Sequence, residues 1–274
     1  MTFEVLVTSM GQKDLSLPGK MNIACPALVA NQCERWGYEE QENPFGPYRM
    51  VSTATRGVGR NRNYALSLAR GDILMFADDD IVYYDADLGG VKQAFKDLPD
   101  ADVILFSIDM TRNGQVFDKR RSPVKRLHWY NAMKYGACRM AIRRESLVKH
   151  NLSFSTLFGG GCQYGSGEDS LFLLDCFRAG LRVYSHSYVL GACAKDSSTW
   201  FSGFDEKFFF DKGAWLACAF PRLHPIIKWH FVRRFNKKTR VPYGTIIKYM
   251  NSGIRAFPKL KSFEEVERIE AKEG

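Results

Sequence analysis

Residues 71–84 read GDILMFADDDIVYY: an apolar run, Ile73 to Ala77, driven straight into three consecutive aspartates, Asp78, Asp79 and Asp80. The run reads as a strand over Asp72 to Ala77. Working outward, the short Val-, Ile- and Leu-rich runs EVLVTSM, ALVANQC and ADVILFSI alternate with stretches of helical composition. That alternation predicts an α/β domain with a largely parallel sheet. RNRNYALSLAR reads as a helix that stops at Gly71 and feeds the strand, and DLGGVKQAFKDLPD as another, closed by Pro99 before a strand over Asp102 to Ile108. Residues 110–135 have little periodicity and read as a long irregular connection. A glycine-rich loop, FGGGCQYGSGED, then precedes an apolar helix, SLFLLDCFRAG, and a strand, LRVYSHSYVLGAC.

Three adjacent carboxylates repel one another, so something must offset them. In open α/β sheets the loops leaving the carboxyl ends of strands line the ligand crevice, which is where this trio falls. Hard cations such as Mn²⁺ or Mg²⁺ take oxygen ligands, and magnesium commonly uses one or two carboxylates plus substrate phosphates. Asp78 and Asp80, two apart, face the same way if extended geometry persists. The other reading is a solvated turn with an aspartate capping the next helix.

Two further clusters carry the same kind of choice. Glu168 and Asp169 open the apolar helix, where a carboxylate complements the helix dipole or, held in a cleft, takes a proton from a hydroxyl as general base. RGVGRNRN supplies Arg56, Arg60 and Arg62, suited to phosphate oxygens or to a solvated surface.

The chain has 274 residues, 45% hydrophobic and 25% charged, the proportions of a globular protein. Its seven scattered cysteines include no CxxC pair, which argues against a zinc knuckle or disulfide framework and for a reducing cytoplasm. The start, with acidic Glu4 and no basic leader, does not read as a secretory signal, and no stretch is long and apolar enough to span a membrane. The formal charge of +9 is concentrated late. From Lys212 to Lys261 there are twelve Lys and Arg and no Asp or Glu, whereas the rest holds 27 basic against 30 acidic groups.

TSM at the end of the first strand, RNRNYALSLARGDILMFADDD and GEDSLFLLDCFRAGLRVY, in that order, resemble the family 2 glycosyltransferases of GT-A fold over roughly residues 3 to 200. The resemblance implies a Rossmann-like, mostly parallel sheet flanked by helices in a nucleotide-sugar-binding catalytic domain, 1–200, with a C-terminal helical appendage, 201–274. It implies Thr8 against the nucleotide and Arg62 near its base or phosphates. It also implies Asp78 and Asp80 as the DxD pair, with Asp80 the direct Mn²⁺ or Mg²⁺ ligand, Asp78 nearer the ribose and Asp79 assigned with them to the donor. Asp169 resembles the base of inverting members, with Glu168 supporting it, and Gly160, within Gly159 to Gly161, would lie by the donor sugar. Two departures stand out. Where many relatives place an aspartate that reads uracil, this chain offers Asn31 and Gln32, and where many have a late histidine in the metal shell, Lys195 or Asp196 falls instead.

In the appendage, PIIKWHFVRRFNKK brings Ile227, Phe231 and Phe235 back every four residues beside Lys228, Arg233, Arg234, Lys237 and Lys238. Such a helix suits an anionic membrane surface, or packs its aromatics on the catalytic domain with its bases in water. The expectation is a metal-dependent, inverting enzyme. It would move a sugar from a nucleotide diphosphate, a UDP-sugar favoured, to a lipid-linked saccharide acceptor in surface-polysaccharide synthesis. It would be cytoplasmic and peripheral on the inner face of the cell membrane, with no nucleic acid partner. A basic nucleic-acid-binding module would leave both acidic clusters unexplained. A metal-dependent nucleotidyltransferase or phosphohydrolase shares the acidic site, but the GxxxxGK[ST] phosphate loop is absent.

Overall fold

The computed structural model describes residues 1–112, 115–118, 121–194 and 203–273. Lys195 and Asp196 lie outside the described residues. Eleven strands form one sheet: β1 (Phe3–Met10), β2 (Ala27–Gln32), β3 (Gly37–Gln41), β4 (Tyr48–Thr53), β5 (Ile73–Asp78), β6 (Ile81–Tyr83), β7 (Val103–Arg112), β8 (Gln115–Asp118), β9 (Lys125–Arg126), β10 (Met140–Arg143) and β11 (Val183–Ala194). The helices are α1 (Leu17–Lys20), α2 (Val58–Leu68), α3 (Gly89–Asp97), α4 (Trp129–Ala132), α5 (Arg144–Lys149), α6 (Glu168–Arg178), α7 (Glu206–Ala219), α8 (His224–Thr239), α9 (Tyr243–Ala256) and α10 (Phe263–Glu273).

Strands β4, β2, β1 and β5 lie side by side and parallel. Short β10 then enters antiparallel between β5 and β7, so the sheet is mixed rather than continuously parallel. Side chains along the strands alternate between two cores, as a period of two requires. Val5, Val7, Ile73, Met75 and Ala77 face Leu17, Val91 and Phe95 on one side. Leu6, Leu74 and Phe76 face Ala65, Leu147 and Phe172 on the other. From β1 the chain moves outward to β2 and β4 on one flank and returns to place β5 on the other. The carboxyl ends of β1 and β5 therefore flank a topological switch point, with Thr8 paired to Asp78.

Residues 1–156 and 168–198 form one compact unit, and 157–167 and 199–274 a second. The glycine-rich loop thus belongs with the C-terminal helices. Asp211 accepts from the Gly165 amide at 2.9 Å, Lys212 donates to Ser166 Oγ at 2.9 Å, and Trp215 Nε1 donates to the Gly167 carbonyl at 3.3 Å.

Two local expectations change. The region 110–135 is not one irregular connection: β7 runs on to Arg112 and pairs with β8, and β9 and α4 follow. In the second unit, the row Ile227, Phe231, Phe235 of α8 is not a membrane face. Phe235 is buried against Phe208 and Phe209, with centroids 5.3 and 5.8 Å away, and Phe231 lies 5.8 Å from Trp215. Aromatic rings at that period found a core within their own unit. No helix among the described residues is long and apolar enough to cross a membrane.

Candidate active site

The RNRN segment opens the site. Asn61 Nδ2 donates to the Ala30 carbonyl at 2.7 Å and so pins α2 to β2. Asn63 holds the backbone of Phe154 from both sides, donating to its carbonyl at 2.9 Å and accepting from its amide at 2.8 Å. Between them, Arg62 is 4% exposed and its guanidinium lies 5.2 Å from the Phe154 ring centre, which braces it by cation–π contact. Phe154 is itself stacked on Phe172 of α6 at 4.1 Å.

So braced, the Arg62 fork reaches three carboxylates. Nη2 donates to Asp78 Oδ1 at 3.1 Å, and Nη1 donates to Asp169 Oδ1 at 2.6 Å and Glu168 Oε1 at 3.1 Å. The two acidic clusters, far apart in sequence, are therefore joined by one buried cation. Burial pushes the Asp169 carboxyl up to about 7, opposed by Arg62 and helped by Glu168 and Asp78. The Ala137 amide bonds to the same carboxylate and lowers it somewhat. The Arg62 guanidinium, raised by its three partners in spite of burial, stays charged.

The aspartates occupy the tight turn between β5 and β6. The helix-capping alternative fails here, because the next long helix, α3, starts only at Gly89 with Leu88 as its N-cap. Thr8 Oγ1 donates to Asp78 Oδ1 at 3.1 Å and Ser9 Oγ to Asp79 Oδ2 at 2.6 Å. Asp80 meets the Cys193 thiol at 3.3 Å. Crowding around its carboxylate raises the Asp80 pKa, and the charges of Asp78 and Asp79 add to that. No ion pair to Asp80 is found among the described residues, so its charge is one that a bound cation would offset. Among the described residues no three side chains of metal-binding type converge. A divalent ion fits here only as magnesium commonly sits, on one or two carboxylates with phosphates and water completing its shell.

Two sequence-derived placements are corrected. Asn31 is fully buried, accepting from the Gln12 amide at 2.9 Å and donating to the Gln12 carbonyl at 2.9 Å and Ser52 Oγ at 3.1 Å. Its amide braces the loop after β1 and is not presented to a nucleotide base. Arg62 faces carboxylates rather than open space for a base or phosphate. Gly160 lies in the second unit, in the loop 157–167. Sequence reading missed Ser9, Cys193 and the Gly136–Ala137 segment. The last sits against Asp169, and a β-carbon added at Gly136 would stand 3.3 Å from Asp169 Oδ2. Ser9 sits inside TSM without being singled out there, and Cys193 and Gly136–Ala137 have no local motif to announce them.

Residues 37–158 match the model of glycosyl transferase family 2. The match bears out the family 2 glycosyltransferase resemblance over a segment that holds Arg62 and the aspartate trio. The crystal structure of S. aureus TarS 1–349 in complex with UDP-GlcNAc is similar at 18% identity and a TM-score of 0.58, over 79% of this chain and 66% of that one. TarS 1–349 alone gives 17% identity and a TM-score of 0.61, over 94% and 81%. A further TarS structure is covered over 39% of its length, at 18% identity and a TM-score of 0.56. This chain thus spans just under two thirds of the first of these relatives. At such identities the likeness shows the GT-A fold. No curated protein matches the sequence.

Proposed function

We propose that the chain transfers a sugar from a nucleoside diphosphate donor to a hydroxyl with inversion at the anomeric carbon. The observation that carries this reading is the Arg62 bridge. It sets a carboxylate with a raised pKa beside aspartates at the switch point of the sheet, where nucleotides bind in α/β folds. Asp169 takes the acceptor proton as the hydroxyl oxygen bonds to the anomeric carbon, and the bond from that carbon to the diphosphate breaks on the opposite side. Arg62, itself anchored by Glu168, holds Asp169 in place. Asp80, with Asp78 beside it, would hold Mn²⁺ or Mg²⁺, whose charge offsets what builds on the departing diphosphate. Thr8 and Ser9 fix the aspartates that face the donor.

A UDP-sugar is the favoured donor because similar TarS structures hold UDP-GlcNAc and UDP. The acceptor class we favour is a lipid-linked saccharide of surface-polysaccharide synthesis, reached by a peripheral enzyme at an anionic membrane. The acid-free basic segment 212–261 supports that choice.

Thermal stabilisation by a panel of nucleotide sugars, with and without Mn²⁺, tests the donor assignment, because a bound donor raises apparent stability by mass action. Expected is a rise in Tm with a UDP-sugar that needs the ion, followed by release of UDP and a product of inverted anomeric configuration by NMR. Release of pyrophosphate, or retention of configuration, overturns the reading.

A further inference from the structure

With Phe231, Val232 and Phe235 of α8 turned inward, the 100° step of a helix leaves Ile226, Trp229, Arg233 and Lys237 on the outward side. The exposures agree. Ile226 is 73% exposed, Trp229 and the N-cap Leu223 are each 53% exposed, and Arg233, Arg234 and Lys237 are open to solvent, whereas Val232 is fully buried. The face is graded. Three large apolar side chains stand at the start of α8, and bases occupy its last two turns, where the helix dipole already favours cations.

The chemistry of this face selects its occupant. No Asp or Glu stands between Lys212 and Lys261 in the sequence, and no ion pair to Arg233, Arg234 or Lys237 is found among the described residues, so an anionic partner suits these bases. Bare Leu223 and Ile226 need an apolar medium as well. Single-stranded nucleic acid offers charge and stacking faces, and Trp229 and His230 are exposed rings, but the other apolar side chains of this face, Leu223 and Ile226, are aliphatic and give bases nothing to stack on. An anionic bilayer offers both components at once, acyl chains for the apolar end and headgroups for the basic end.

We propose that the outward face of α8 seats the protein on an anionic lipid surface, with Leu223, Ile226 and Trp229 entering the acyl boundary and Arg233, Arg234 and Lys237 lying at the headgroups. The inference rests on the lipid-linked-acceptor reading for its purpose and on α8 alone for its geometry.

The test is sedimentation of the full chain with vesicles of equal parts phosphatidylcholine and phosphatidylglycerol, and with phosphatidylcholine alone. The wild type is expected to pellet with the anionic vesicles at low salt, to be released by high salt, and to ignore the neutral ones. Each base near an anionic surface strengthens binding about five-fold, so Arg233→Ala with Lys237→Ala weakens partitioning by about 25-fold. Ile226→Ser with Trp229→Ser weakens it by about ten-fold or more. These side chains are exposed, so unchanged melting curves confirm that the variants fold. Wild-type protein left in the supernatant, variants that bind like wild type, or retention by a single-stranded oligonucleotide but not by vesicles overturns the proposal. Vesicle binding without nucleotide-sugar turnover supports this surface and defeats the enzymatic reading. Turnover on a soluble acceptor without vesicle binding does the reverse.

Discussion

Burial first, and then crowding by Glu168 and Asp78, push the Asp169 carboxyl up to about 7, against the opposing charge of the Arg62 guanidinium that joins the three carboxylates. A general base works best near the operating pH, so this crowding suits the role proposed for it. Asp169→Asn is expected to lose about 10²- to 10⁴-fold in kcat while donor binding, read by thermal shift, is retained. In the wild type, kcat/KM should rise through pH 7 and level off above it. The stability sign runs the other way. A carboxyl raised in the folded state binds its proton more tightly there than in the unfolded chain, so its contribution is complete below the ordinary aspartate pKa of 3.8 and is lost as pH climbs through about 7. Asp169→Asn should flatten that decline in a series of denaturant midpoints. Asp80→Ala, by contrast, should abolish ion-dependent stabilisation by the nucleotide sugar and leave the fold's own midpoint nearly unchanged.

Helix α2 brings Arg62 to the site, and it lies very close to the chain beneath it. A β-carbon at Gly59 would stand 2.0 Å from the Ser155 carbonyl oxygen. Gly59→Ala should therefore displace the helix, cost about 1–3 kcal/mol by urea denaturation, and lower turnover by shifting Arg62, which lies about one turn after Gly59. Elements of this kind set how much the sequence disclosed. The apolar runs of β1, β2, β5 and β7 and the patterned helices α2, α3 and α6 were legible, since burial on a sheet or helix face writes itself into composition. β3, GYEEQ, was not: it is an exposed edge whose polar side chains leave no alternation. β10 was missed because four residues, inserted antiparallel between β5 and β7, are too few for a period. At the site, the two acid clusters were visible as local motifs. Their meeting was not, because Arg62 reaches Glu168 and Asp169 across 106 and 107 residues. The burial of Asn31 depends likewise on Gln12 and Ser52, which no spacing rule connects to it.

Across the molecule, two units carry separate cores. In the second, α7 and α9 cross at glycines: a β-carbon at Gly213 would meet the Met250 carbonyl oxygen at 2.1 Å, and one at Gly253 the Phe210 carbonyl oxygen at 1.9 Å. Gly253→Val is expected to lower the melting temperature of that unit by several degrees, as about 1–3 kcal/mol of overpacking would, with Tm followed by calorimetry. In the first unit the aspartate trio has a consequence of a different sort. Only Asp79 and Asp80 separate the end of β5 from the start of β6, and Ala77 and Ile81 on either side are fully buried. Such a short corner has no hinge, so these side chains form an anvil rather than a jaw. Whatever enclosure a ligand receives must come from elsewhere, and the entropy of ordering this corner is surrendered during folding, before any ligand arrives.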